Sequence, residues 1–294
     1  MGSLSRKKQE LIAIIAFMFI PVLTLVVFTY YPACLLIYNS LTNWPGVGPK
    51  QFIGLTNYKQ LFLNPSTFKI LLNNFTYMIV GYIEIFMALY FAVILNIKFK
   101  GRNFFKTLIF MPYIINSIAV AFMMTFVFDN SNGALNVFLR SIGASSPPNW
   151  VGSPSLVNYT FAFMSLWKYL GMTTVLFLAA LQSIDTDLYE AASLDGADAW
   201  HTFWRITMPG IWGMFQLTLF MNLSGAIGAF EFVFAIYPSG GSPMGMADTF
   251  VIKTINMAFK YNNFGMASAM GVSLMALTAA LVLAQFKFFA RKVN

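Results

Sequence analysis

The sequence predicts an all-α integral membrane protein of six transmembrane helices, and three observations carry that reading. Of its 294 residues, 58% are hydrophobic and only 10% charged, whereas a soluble globular domain has roughly 25% charged residues. Such a chain has too little polar surface to cover itself in water. Apolar stretches long enough to cross ~30 Å of hydrocarbon, about 20 residues each, occur at 11–38, 70–97, 108–128, 157–181, 210–236 and 265–289. Lysines and arginines, finally, gather near the ends of these stretches and favour alternate connections.

The first stretch follows Arg6-Lys7-Lys8. It is longer than the 7–15-residue apolar region of a signal peptide, so it is expected to remain as an uncleaved span. The connections 39–69, 129–156 and 237–264 are rich in Gly, Pro, Asn and Ser. Within them, "SSPPNWVGSPS" and "YPSGGSPMG" cannot continue a helix, because proline lacks the donor and glycine is too free. With the N-terminus inside, Arg6, Lys7, Lys8, Lys98, Lys100, Arg102, Lys106, Arg205, Lys287, Arg291 and Lys292 fall in the cytoplasm. Lys50, Lys59, Lys69, Arg140, Lys253 and Lys260 fall outside. This bias predicts a multi-pass protein of the cell membrane with both termini cytoplasmic. With no hydrophilic domain in view, residues 1–294 are expected to form one membrane domain.

The connection 183–209 is the polar exception. Of the ten carboxylates, five (Asp185, Asp187, Glu190, Asp195 and Asp198) lie in it. It parses as two short helices around a turn. Asp187 is placed to cap the first, with Glu190 three residues on in a capping-box arrangement. Gly196 supplies a left-handed helix end. Asp198 caps a second helix carrying the apolar stripe Trp200, Phe203 and Trp204, and Pro209 stops it. Such a hairpin can pass a push from a partner into the membrane. A solvated connection kept wet by its acids is the alternative reading.

Other chemistries find little support. Cys34 is alone and His201 has no Cys or His partner, so neither a disulfide nor a metal site follows. The net charge of +8 follows the membrane rule rather than marking a nucleic-acid surface. No G-x-x-x-x-G-K-[ST] phosphate loop is present, and no H-E-x-x-H or nucleophile motif suggests an intramembrane enzyme. A secondary transporter or channel driven by an ion gradient is the second function considered. It would favour paired ionisable groups near the midplane, and Glu84, Lys168 and Glu231 keep it open. Lys168, about ten residues into the fourth span, is expected either to pair with Glu84 or Glu231 or to line a polar pathway. An unpaired charge at that depth costs roughly 2.5–3.5 kcal/mol.

Glu190-Ala191-Ala192, then Gly196, then Ile206 and Pro209, resemble the EAA loop of binding-protein-dependent ABC importer permeases. The fuller string "LAALQSIDTDLYEAASLDGADAWHTFWRITMP" is similar to the carbohydrate branch, the maltose and oligosaccharide permeases. "YNSLTNW", "FIGLTNY", "NGALNVFLRSIG" and "NNFGMASAM" extend the resemblance over nearly the whole chain. Ile184-Asp185 replaces the family's frequent Ile-Pro, and Gly240-Gly241-Ser242-Pro243 replaces its Gly-Gly-Pro. The first change should soften the start of the loop's first helix, and the second should alter an outer turn.

The resemblance implies a six-span permease with a cytoplasmic coupling loop between spans four and five. Glu190, Ala191, Ala192, Leu194, Asp195, Gly196, Ile206 and Pro209 would engage the ATPase. It implies a second, different permease subunit, two nucleotide-binding ATPase subunits, an extracytoplasmic solute-binding protein and a sugar substrate. This chain would hold no cofactor, ATP and Mg being bound by the ATPase subunits. By position in spans four and five, the resemblance implicates Trp167, Lys168, Tyr169 and Met172, with Ala226, Phe230 and Glu231, in the substrate pathway.

The orientation is tested with single cysteines in a Cys34→Ala background. In intact cells an impermeant thiol reagent is expected to label Ser145→Cys and to spare Ser193→Cys. The reverse pattern would overturn the assignment.

Overall fold

A computed structural model describes residues 6–238 and 242–290, and helices dominate it. Among the described residues five helices are long and apolar enough to cross a membrane, or six if one sharply bent pair forms a single span. The expected Gly240-Gly241 turn and the basic residues Arg291 and Lys292 lie outside the described residues. Two compact units are present, one of Met1–Leu63 with Met257–Ser273 and one of Asn64–Asn256 with Leu274–Asn294.

In the first unit, a long helix runs Arg6–Leu25, widens into a π turn at Val26–Tyr30, and continues as Tyr31–Ser40. Pro32 explains the wide turn. It has no N–H to give to the carbonyl four residues back, and just ahead of it the Tyr31 N–H bonds instead to Val26 O, five residues back. The motifs "YNSLTNW" and "FIGLTNY" then meet in a two-stranded antiparallel ribbon, Thr42–Asn43 with Gln51–Phe52. This ribbon is a small departure from the all-α expectation. Buried Asn57 fastens it by donating to the carbonyls of Ser40 and Thr42, both at 2.9 Å. A side chain at Gly265 would stand 2.0 Å from the Thr42 carbonyl oxygen, so only glycine lets the start of the helix Phe264–Ala290 approach it.

The second unit is built on two long helices, Pro65–Asn96 and Val157–Gln182. The first begins five residues before the expected span because Asn64 caps it, accepting from the Ser66 N–H at 3.0 Å, with Pro65 at the first helical position. Fully buried Ala88 and Ala92 keep its packing face narrow. One apolar cluster gathers Tyr77, Phe161, Ala226 and Phe232. A second gathers Ile85, Phe177, Leu181, Met208 and Phe215, with Trp212 and Phe289 packed against it.

Two of the expected spans are broken. The stretch 108–128 is not one straight helix: Arg102–Ile114 and Ser117–Val127 are bent by 103° across Ile115-Asn116. Asn116 starts the second half by accepting from the Ile118 N–H at 2.9 Å. The stretch 210–236 divides into Trp212–Ile227 and Glu231–Ile236. Each break leaves carbonyls without a helical partner, and in apolar surroundings such groups must be satisfied. Side chains supply the donors. Asn74, 5% exposed, gives its amide to the carbonyls of Ala226 and Ile227 at 2.9 and 3.1 Å. Its own carbonyl accepts from the Phe250 N–H at 3.0 Å.

Lys168 serves the other break. Its Nζ donates to the carbonyls of Ile115 at 2.5 Å and Tyr113 at 3.4 Å, with the rings of Tyr113 and Tyr169 beside it. This corrects the expected pairing with Glu84 or Glu231. Among the described residues the ion pairs are Arg6–Glu10 and His201–Asp198, and neither involves Lys168. A cation at the carbonyl end of a helix is favourable for the same reason that capping is, since unpaired carbonyls carry the negative end of the helix dipole. Lys168→Met therefore strips both carbonyls of their donor, and a loss of about 1.5–3 kcal/mol in stability is expected. Thermal denaturation of the purified protein would read it. The loss should be unchanged in a Glu84→Gln or Glu231→Gln background, and a coupling energy above about 1 kcal/mol with either acid would restore the ion pair.

Candidate functional site

Between the two core helices and the fifth span, the sequence 183–209 folds as a hairpin of two short helices. Asp185 is the N-cap of the first, Thr186–Leu194, and accepts from the Asp187 N–H at 3.0 Å. The cap was expected at Asp187, with Glu190 completing a capping box. One carboxylate two residues earlier already satisfies the helix start, so Asp187 lies in the first turn and no box forms. Asp185 is thus the residue that begins the helix. Gly196 ends it at φ +76°, with Ala197 N–H returning to Ala192 O at 2.9 Å. That is the left-handed closure expected of this glycine.

Asp198 caps the second helix, Ala199–Thr202, accepting the His201 N–H at 2.8 Å and lying 2.7 Å from His201 Nδ1. Backbone and side-chain donation from His201 holds the Asp198 carboxyl below its usual range. A π turn, Phe203–Thr207, follows directly ahead of Pro209, as the earlier one precedes Pro32.

The hairpin is rooted at its base and bare at its tip. Tyr189 and Thr207 join its two arms through their hydroxyls at 3.0 Å. Ile184, Phe203 and Met208 belong to the apolar cluster of Ile85, Phe177 and Leu181. Glu190, Ala191, Asp195, Gly196 and Pro209 are exposed, while Ala192 and Ile206 are half-buried. Leu194 is 90% exposed and Trp200 68%. Trp200 and Trp204 do form the expected stripe, their rings 5.6 Å apart.

A second feature lies between the two apolar clusters: a cavity of about 320 Å³. It is walled by Pro65–Asn96 and Val157–Gln182, the second and fourth spans, and by both broken spans. Of the residues singled out in the sequence, Tyr169, Met172, Ala226, Phe230, Glu231 and Glu84 line it. Trp167 and Lys168 do not. Trp167 packs against the cluster around Phe161, and Lys168 is committed to its carbonyls. The cavity adds Tyr77, Gly81, Tyr113 and Asn222, which sequence reasoning passed over. An asparagine in the middle of an apolar span was the available signal for Asn222. Tyr169 donates its hydroxyl to Glu231 at 3.3 Å, tying the fourth helix to the broken fifth.

Comparisons with known proteins agree with this architecture. The family model described as binding-protein-dependent transport system inner membrane component matches residues 84–294. The probable ABC transporter permease protein YurN of Bacillus subtilis is 33% identical over 94% of this chain and 96% of its own length. The trehalose/maltose transport system permease protein MalF of Thermococcus litoralis is 31% identical over 90% of this chain and 88% of its own. In fold, the chain matches a subunit of a bacterial alginate ABC transporter solved with an alginate pentasaccharide-bound periplasmic protein. That match has a TM-score of 0.86 and covers 100% of this chain and 99% of the other, at 21% identity. Matched along most of its length by the family model and by relatives above 30% identity, the chain belongs to the binding-protein-dependent transport system inner membrane components and is a membrane-embedded permease subunit, not an enzyme.

Proposed function

We propose that this permease serves an ATP-driven importer of a sugar or oligosaccharide, that its cavity lies on the sugar's path, and that residues 183–209 couple it to ATPase subunits. The trehalose/maltose permease among its relatives supports the choice of sugar. Family membership also displaces the ion-driven transporter, and the reassignment of Lys168 removes the midplane ion pair that favoured it.

One observation carries the coupling role. The hairpin offers exposed Leu194, Trp200 and Glu190 at its tip, while its base is continuous with the cluster that packs beneath the cavity. A partner that grips the tip therefore moves residues packed against the second, fourth and fifth helices. ATP and Mg are held by two ATPase subunits, and this chain needs no cofactor of its own. A second permease subunit completes the pathway, and an extracytoplasmic binding protein delivers the sugar. In this arrangement both termini and the hairpin face the cytoplasm. Closure of the ATPases on ATP draws the hairpins together and turns the cavity outward.

Gly196 makes the coupling role testable. At φ +76° a side chain is strained by about 1–2 kcal/mol, yet no atom lies within 4 Å of where its Cβ would stand. Gly196→Asp should therefore leave the protein folded and in the membrane, and spoil only what docks there. Expected outcomes are loss of ATPase subunit in co-purification and loss of sugar uptake, with a milder loss for Glu190→Ala. Normal association and uptake in Gly196→Asp would reduce the hairpin to a solvated connection.

A further inference from the structure

The cavity contains polar atoms that this chain leaves unanswered. Tyr77 Oη, Glu84 Oε1 and Asn222 Oδ1 are all buried without a hydrogen-bond partner, and all three residues are in its wall. Tyr77 and Glu84 are each only 6% exposed. Buried polar groups are ordinarily paired, so three orphans on residues of one wall point to a partner that arrives from outside.

The sign of the charge is equally one-sided. Glu84 and Glu231 are in the wall, and no Lys, Arg or His is. The nearby cation, Lys168, lies outside the wall and donates to the carbonyls of Tyr113 and Ile115. Tyr169 occupies one oxygen of Glu231 and leaves the other free. Asn222 is held in place by a gap in the facing helix, since a Cβ at Gly81 would lie 1.6 Å from its Nδ2. Around these acceptors stand the rings of Tyr77, Tyr113, Tyr169 and Phe230, flat apolar faces with polar edges.

We propose that this cavity reads hydrogen-bond donors: Glu84, Asn222 and Glu231 accept from the hydroxyl or ammonium groups of an uncharged or amine-bearing sugar, and the two carboxylates of its wall exclude sugar acids and sugar phosphates. An anion entering the site would meet like charge and lose its own hydration without gaining a donor to replace it. The proposal rests on the cavity being the sugar's path.

Occupancy can be read without the binding protein, whose own selectivity would mask the effect. In the assembled transporter with Cys34→Ala, Ser165→Cys places a thiol in the cavity wall for maleimide labelling. Maltose and glucosamine disaccharide are expected to slow labelling, and digalacturonate to require at least about tenfold higher concentration for the same protection. Adding Glu84→Gln and Glu231→Gln should let digalacturonate protect and weaken protection by the amine. Equal protection by digalacturonate and maltose with both glutamates present would overturn the proposal, and this comparison stands even if the glutamine variants fold poorly. Failure of all three saccharides to protect would overturn it differently, by removing the cavity from the sugar's path.

Discussion

Every backbone N–H and C=O in an apolar surrounding needs a partner, and the second unit is organised around the two places where its helices fail to provide one. The spans break at Ile115-Asn116 and at Gly228–Phe230, and each break would be prohibitive if its carbonyls were left bare. Lys168 covers the first and Asn74 the second. Neither residue lines the cavity, yet each bonds to the broken end of a span that walls it. Straight helices at 108–128 and 210–236 would close ranks with Pro65–Asn96 and Val157–Gln182, as Ala88 and Ala92 already do elsewhere. Two satisfied breaks instead leave a space walled by Tyr113 on one side and by Ala226 to Phe232 on the other.

The same helices link the cavity to the hairpin. Phe215 touches Phe177 and stacks on Trp212, and Trp212 meets Phe289 of the last helix. Phe215 also belongs to the cluster that holds Ile184, Phe203 and Met208 at the hairpin's base. Close-packed aromatic and aliphatic groups transmit displacement poorly by bending and well by shifting as a body. Under the proposed coupling role, a partner pulling on residues 186–204 would act on the wall of the cavity through an incompressible wedge. Thr218 and Met221, one to two turns beyond Phe215 on the same helix, already face that space.

Much of this was legible in the chain. Composition and apolar run length identified a helical membrane protein, and four of the six stretches became continuous helical spans within about five residues of the expected limits, while two broke. Gly196 and Asp198 announced their roles through residue type alone, because a left-handed turn and an N-cap each have few candidates. What sequence reasoning missed were matters of partnership. A lysine deep in an apolar span invites a carboxylate, and Glu84 and Glu231 were the obvious choices. The actual acceptors are backbone carbonyls, which no side-chain inventory displays, and they became available only because a helix broke 55 residues earlier in the chain. Asp185 was passed over for Asp187 because both fit the capping pattern, and local geometry decided between them. Asn222 and Gly81 are likewise meaningful only as a pair across two helices.

The π turn at Phe203–Thr207 has a directional effect. A π turn accommodates one residue more than an α-helical turn does, and in an α-helix each residue advances the face by about 100°. Pro209, lacking an N–H, makes that extra residue tolerable where a regular turn would have demanded a bond. The aim of Trp200 and Trp204 is therefore indexed to the span by a single residue of chain. Deleting one position between 205 and 207 would swing both tryptophans roughly a quarter turn around the helix axis while leaving every side chain at the tip intact.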